Sequence, residues 1–151
     1  MTLAISAHGT LVAVQLTPGG AFTDVAEQGD ITPPALSRNE FDATTQEKDI
    51  DSYVLGVLRR GAFTQPLNWL PDNATHDHLT GVYKLMIENT VTGWRITYPD
   101  GTKWIMSGQV QSITPQAPVD GKLAADVTLR FSGAMQILTA LGAITDIGLS
   151  A

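Results

Sequence analysis

The side chains in this sequence that could do chemistry are few, and their spacing decides against each of them. His76-Asp77-His78 is the one cluster with the donor types of a metal site. At the start of a helix two histidines at i, i+2 point about 200° apart, whereas helical ligand pairs sit at i, i+3 or i+4. Apart from His8 there is no further histidine, and there is no cysteine, so no metal is expected and the cluster reads as polar residues of a first helical turn. The carboxylates Asp42, Glu47, Asp49 and Asp51 lack the spacing of a calcium loop with its terminal glutamate. They read as a solvated or inter-subunit loop in preference to an acid–base pair. Gly56-Val57-Leu58-Arg59-Arg60-Gly61 has the glycine spacing of a phosphate loop, but Ala62-Phe63 stand where a lysine and a hydroxyl residue would have to hold the phosphates. No serine sits in a G-x-S-x-G turn, and the cysteine nucleophile is absent. Asn73-Ala74-Thr75 is a glycosylation sequon by spelling only. Arg59 and Arg60, with Arg38, stand beside four acids and suit ion pairs across a protein contact, which fix register more than they add affinity. No catalytic residue, cofactor or metal is assigned, and an enzyme is not expected.

The bulk properties point the same way. The 151 residues suit one domain with one core. A net charge of −6 argues against a protein that grips nucleic acid through a basic face. Charged residues make up 16% of the chain, against about 25% in ordinary soluble domains. Depletion of charge is what the core of a protein interface shows, so an extensive contact with other chains is expected. The opening residues MTLAISAHGTLVAVQL lack a basic n-region, so no secretory signal is expected. No apolar run approaches the ~20 residues of a membrane span.

The elements that would position these residues are mostly strands. Residues 3–16 form an apolar run with Leu11, Val12, Val14 and Leu16, and Thr17-Pro18-Gly19-Gly20 is a turn into a second strand over 22–27. After the rigid Pro33-Pro34 step, residues 35–44 alternate, with Ala35, Phe41 and Ala43 on a face to be buried and Arg38, Glu40, Asp42 and Thr44 on the other. A further strand over 62–70 sets Phe63, Leu67 and Trp69 against Thr64 and Asn68. Between these two lies a polar excursion, 45–61, far longer than the two to about five residues usual for a hairpin loop. Order supplied by a partner chain is a common reason for such a loop. Asn73 or Thr75 is expected to cap one helix with Asp77 in its first turn, and Leu79, Val82, Tyr83 and Met86 would form its apolar stripe, weakened slightly by Gly81. Residues 94–98 and 103–113 read as strands about the turn Tyr98-Pro99-Asp100-Gly101-Thr102, and both Trp94 and Trp104 lie on apolar faces. The final strand alternates most cleanly, Leu123, Ala125, Val127, Leu129 and Phe131 against Lys122, Ala124, Asp126, Thr128 and Arg130. Residues 135–151 are apolar, with Ile137, Leu141 and Ile144 on a helix face; they either fold back on their own sheet or reach a neighbouring subunit. Mainly β with one helix, as a β-sandwich or small barrel over 1–151 as a single domain, is the natural architecture.

The run Pro33-Pro34-Ala35-Leu36-Ser37-Arg38, then Phe41-Asp42-Ala43-Thr44-Thr45, a charged loop, and Gly61 with the strand after it resembles the major tail tube protein of long-tailed bacteriophages. The later order of helix, tryptophan-bearing hairpin and alternating strand also fits, so the resemblance covers roughly residues 5–133. It implies the β-barrel or sandwich with a flanking helix that tail tubes share with type VI secretion tube proteins. It also implies a structural virion protein whose hexameric rings stack into a non-contractile tail tube, the conduit for DNA. Implied partners are further copies of itself, the tape measure protein in the lumen, and tail terminator and distal tail proteins. DNA would pass without specific binding, no membrane is involved, and assembly would take place in the host cytoplasm before residence in the virion tail. By position, Glu40, Asp42, Thr44, Thr64 and Asn68 would face the lumen, where like charge repels phosphate. The 45–61 loop would reach the adjacent ring through Glu47, Asp49, Asp51, Tyr53, Arg59 and Arg60. Two other functions fit the residues: a single-ring tail protein such as a terminator, or, in another class, a monomeric β-sandwich module with Trp94 and Trp104 as a ligand platform.

Overall fold

The longest strand is the one whose alternation is clearest in the sequence, and the sheet is laid on both sides of it. The computed structural model describes residues 4, 6–47, 49–139, 142 and 144–147. Among these the strands are β1 Leu11–Gln15, β2 Phe22–Asp24, β3 Leu36–Asp42, β4 Tyr53–Arg60, β5 Phe63–Asn68, β6 Thr92–Thr97, β7 Lys103–Gln116, β8 Ala124–Leu138 and β9 Ile144–Ile147, with one helix, α1 Val82–Ile87. Seven strands form one antiparallel sheet in the order β2-β1-β6-β7-β8-β5, β9 pairing with the far end of β8, while β3 and β4 form a separate two-stranded ribbon. No described helix is long and apolar enough to cross a membrane.

Alternation along each strand sends one set of side chains inward. Ala125, Val127 and Leu129 of β8 meet Phe63 and Leu67 of β5, Trp94 and Ile96 of β6, Met106 and Val110 of β7, and Val12 and Val14 of β1. Removing a large side chain of this kind from water stabilises the fold by about 1.5–3 kcal/mol each. The sheet then curls closed. After β2 the chain runs alongside β5, with Gln28 bridging Leu67 and Thr32 bridging Thr64. Gly29 N–H donates to Pro66 O and Asn68 N–H to Glu27 O, both at 2.9 Å, so the edge of β5 is covered. The expected β architecture with one helix is the observed one.

The helix is shorter than its pattern suggested. It begins at Val82, not near Asn73 or Thr75, and Asp77 lies before it. The Asp77 carboxylate accepts the N–H groups of Leu79 (3.2 Å), Thr80 (2.7 Å) and Gly81 (3.0 Å), which folds residues 77–81 into a turn that delays the helix. Gly81 then packs on the preceding turn so closely that a Cβ would lie 2.5 Å from the Thr75 carbonyl carbon and 2.6 Å from Asp77 N. The buried stripe is Val82 and Leu85; Leu79 and Met86 are exposed, and Tyr83 stacks on Trp69 with ring centroids 5.5 Å apart. His76, read as a polar residue of a first helical turn, lies before the helix and is 0% exposed. Its Nδ1 accepts Leu70 N–H at 3.1 Å and its Nε2–H donates to Ala26 O at 2.7 Å, so the ring ties the start of this turn to the segment after β2.

The described part of the apolar stretch 135–151 folds back on the chain's own sheet. Residues Met135–Leu138 complete β8, and β9 runs antiparallel to them from Met135↔Ile147 to Leu138↔Ile144. The helix face of Ile137, Leu141 and Ile144 does not form: Ile137 and Ile144 are on facing strands, and Leu141 lies outside the described residues.

Candidate functional site

Only Gly61 and Ala62 separate β4 from β5, and β3 is preceded by the segment that lies along β5. The pairing register carries on across that junction, from Thr32↔Thr64 to Leu36↔Arg60 and Arg38↔Leu58, and then slips by one residue to Glu40↔Leu55 and Asp42↔Tyr53. The two strands are therefore one long ribbon, its lower half built into the sheet and its upper half, β3–β4, projecting without another strand partner. This corrects two expectations. Residues 45–61 are not a loop throughout, because 53–60 return along β3 and leave 43–52 as the connection. The strands read over 35–44 and 62–70 do not pair as a hairpin either, since β3 pairs with β4 and β5 with β8.

Cross-strand partners share a face of the ribbon. One face carries Arg38, Glu40 and Asp42 with Leu36, Tyr53, Leu55, Leu58 and Arg60, and across the junction it leads to Thr64 and Asn68 on β5. The other carries Phe41 and Val54, with Val57 beside them after the register slips between Arg38 and Glu40. At that bulge a Cβ on Gly56 would sit 2.8 Å from the Phe41 ring, and Arg38 Nη1 donates to Gly56 O at 2.8 Å. The apolar face expected to be buried is open in the subunit: Phe41 is 58% exposed, Val54 55% and Val57 70%. A two-stranded ribbon is marginal by itself, and an open apolar face with unpaired edges is a template for another chain.

At the tip, Thr44 closes the connection. Its hydroxyl accepts Ser52 N–H at 2.8 Å and donates to Ser52 O at 3.3 Å, while its own N–H donates to Asp42 Oδ1 at 2.8 Å. That N–H, reinforced by the Thr44 hydroxyl, holds the Asp42 carboxyl below the usual aspartate range. Glu47, Asp49, Asp51 and Tyr53 are exposed, as is Ile50 between two of the acids, at 80%. The neighbouring arginines differ. Arg59 is exposed, whereas Arg60 at the ribbon root donates from Nη2 to Gly133 O at 2.5 Å and has its Nη1 buried without a partner. Desolvation lowers the Arg60 pKa from the usual arginine value. No ion pair forms among the described residues.

Thr64 also belongs to a row that sequence reading missed. It stands opposite Thr128, which stands opposite Ser112, so three hydroxyl residues cross β5, β8 and β7 on the solvent face. The next row is Pro66, Asp126 and Thr114. The β8 half of this was legible in its alternation; the pairing that brings it beside β5 was not. Asn68 is half-buried, its Nδ2 donating to Glu27 Oε2 at 3.1 Å. Trp94 is 1% exposed, and Trp104 packs edge-on to Tyr98 at 5.7 Å, so the two do not form an open aromatic platform. Among the described residues no three His, Asp or Glu side chains gather as metal ligands.

Residues 6–138 match the family described as lambda phage tail tube protein. No curated protein matches the chain in sequence. Among solved structures, the chain is similar to a protein in the tail of an empty gene transfer agent particle with C6 symmetry, at 16% identity over 87% of this chain and 97% of that one, with a TM-score of 0.73. It is similar to a protein of the anti-feeding prophage baseplate at 14% identity, TM-score 0.70, over 93% and 99% of the two chains. It is also similar to the Hcp1 protein of the E. coli EAEC 042 pathovar at 12% identity, TM-score 0.53, over 92% and 97%. At these identities the structural likenesses carry the fold alone.

Proposed function

Because the chain belongs to the lambda phage tail tube protein family, structural proteins of the virion tail, we propose that six copies close a ring and that the rings stack into the non-contractile tube through which DNA is delivered. The observation that carries this is the projecting ribbon, apolar on one face and charged at its tip, with both edges unpaired. Ring closure and stacking would cover that apolar face and pair those edges. The gene transfer agent tail that shares this fold has C6 symmetry, which supports six subunits per ring. In this arrangement Glu47, Asp49, Asp51, Tyr53, Arg59 and Arg60 make the contacts between rings. Glu40, Asp42, Thr44, Thr64 and Asn68 face the lumen, occupied by the tape measure protein until DNA passes. Terminator and distal tail proteins end the tube, and assembly takes place in the host cytoplasm.

Negative-stain electron microscopy of the purified protein over a range of concentrations tests this. Hollow tubes with a regular axial repeat are expected. Discrete hexamers that never stack would assign the chain to a terminator-type ring, and subunits that stay monomeric with tail-tip and tape measure proteins added would overturn the reading.

A further inference from the structure

Resting on the tail tube reading, we propose that the Phe41 ring of one copy seats in the pocket between Trp69 and Tyr83 of a second copy in the next ring. Copies stacked in one orientation meet head to tail, so each needs two different, complementary patches at opposite ends. Strand β5 joins two such ends. Its first residue, Phe63, follows the ribbon across Gly61 and Ala62, and its last, Asn68, runs directly into Trp69. Moving one copy along β5 therefore brings its ribbon to the Trp69 end of the next.

That end has room for one aromatic ring. A cavity of about 170 Å³ opens there, lined by Trp69, Pro71, His76, Asp77, His78 and Tyr83. An apolar cavity of about 150 Å³ takes up benzene, so a phenyl group is the right size. The Trp69 and Tyr83 rings stand 5.5 Å apart and tilted by 37°, a spacing that a third ring can extend into an aromatic cluster. His76 gives the pocket a fixed floor, since Leu70 N–H and Ala26 O hold both its ring nitrogens. Leu123 O accepts Trp69 N–H at 3.1 Å, which keeps the turn between β7 and β8 alongside. Leu70, Val119 and Leu123 are all exposed there and form an apolar rim.

On the donor side, Phe41 is the aromatic residue of the ribbon's apolar face. A rise of about 3.3 Å per residue from Leu36 carries it about 16 Å out from the root. Gly56 leaves space for the ring to lie against β4, and Val54 and Val57 beside it would meet the rim. The larger cleft, of about 360 Å³ and lined by Ile31, Pro33 and Tyr98, is not the acceptor. It adjoins the Thr32↔Thr64 bridge, at the ribbon's own end of β5, which a copy in the same orientation does not present.

Photocrosslinking tests the contact. Tubes of protein with p-azidophenylalanine in place of Phe41 would be irradiated, and the linked peptides mapped by mass spectrometry. Covalent dimers and longer chains, joined from position 41 to residues between Trp69 and Tyr83, are expected in tubes and absent from unassembled subunits. Tubes whose links map elsewhere, or that give none, would overturn the proposal while leaving the tube intact. If the azide itself blocks assembly, Phe41→Ala and Tyr83→Trp decide, the second filling the pocket while keeping a ring against Trp69. Each should raise the concentration at which tubes first form by about tenfold or more, as loss of a buried aromatic anchor does. Either variant forming tubes at the parent's concentration would overturn the contact. Failure of the unmodified protein to form tubes would instead strike at the tail tube reading itself.

Discussion

The side-chain amide of Gln28 takes the place of a strand against Val12. Its Oε1 accepts Val12 N–H at 2.7 Å and its Nε2 donates to Val12 O at 2.8 Å, with a second bond to Val25 O at 2.7 Å. Val12 is fully buried at the seam where the segment after β2 leaves β1 and crosses to β5. The side chain thus satisfies the Val12 N–H and gives Val12 O a second donor beside the Val25 N–H at 3.1 Å, where the ladder between β1 and β2 ends.

Gln28→Leu, which keeps the volume and removes the bonds, should destabilise the subunit by about 1–3 kcal/mol, the cost of leaving the buried Val12 N–H unpaired, since Val12 O keeps the Val25 N–H. Urea denaturation of the unassembled protein measures it. A change within experimental error would mean that the seam closes without this amide.

Gly81 is required by space. With a Cβ 2.5 Å from the Thr75 carbonyl carbon, the neighbour that must move is backbone. Gly81→Ala should cost about 3 kcal/mol, at the upper end of overpacking effects. Thermal unfolding indistinguishable from the parent would show that the turn opens freely.

Asp77 makes the turn before α1 sensitive to acid. The Thr80 N–H first, then the Thr80 hydroxyl and the N–H groups of Leu79 and Gly81, hold its carboxyl below the ordinary 3.8. A depressed folded-state pKa gives stability that is present above the unfolded value and is lost as pH falls through the folded one. Asp77→Asn should therefore lower Tm at neutral pH, and the gap from the parent should close as pH falls below about 3.8. A gap that stays constant with pH would show that the charge contributes nothing.

Arg59 and Arg60 should separate assembly from folding. Arg60→Ala removes the bond to Gly133 O and should lower subunit stability by about 1 kcal/mol, a modest figure because that bond is partly solvated. Arg59→Glu should leave the unfolding curve unchanged and shorten or abolish tubes in micrographs. If Arg59→Glu tubes match the parent in length and yield, its stacking role fails.

Legibility followed whether a residue's role lay in its own strand. The alternation of Ala125, Val127 and Leu129, and of Trp94 and Ile96, shows which side is core, because the sheet period is two. β4 was hidden because its apolar residues, Val54 to Leu58, sit between the acids of the tip and the Arg59-Arg60 pair, and the charges dominated the reading. Gln28 and His76 carry no local signal, since each acts by bonding to backbone far away in sequence. The Thr64–Thr128–Ser112 row depends on register between strands distant in the chain, which one strand's pattern does not contain.

Because β4 runs on into β5, the ribbon is also a mechanical element. A pull on its tip along the strand axis passes through Gly61 and Ala62 into β5 and loads the pairs from Phe63↔Leu129 to Asn68↔Ala124 in shear, all at once, not one after another as in peeling. A tube hung together by such ribbons would resist axial stretching better than bending, and its weak points under load would be the joints between tips, not the subunits themselves.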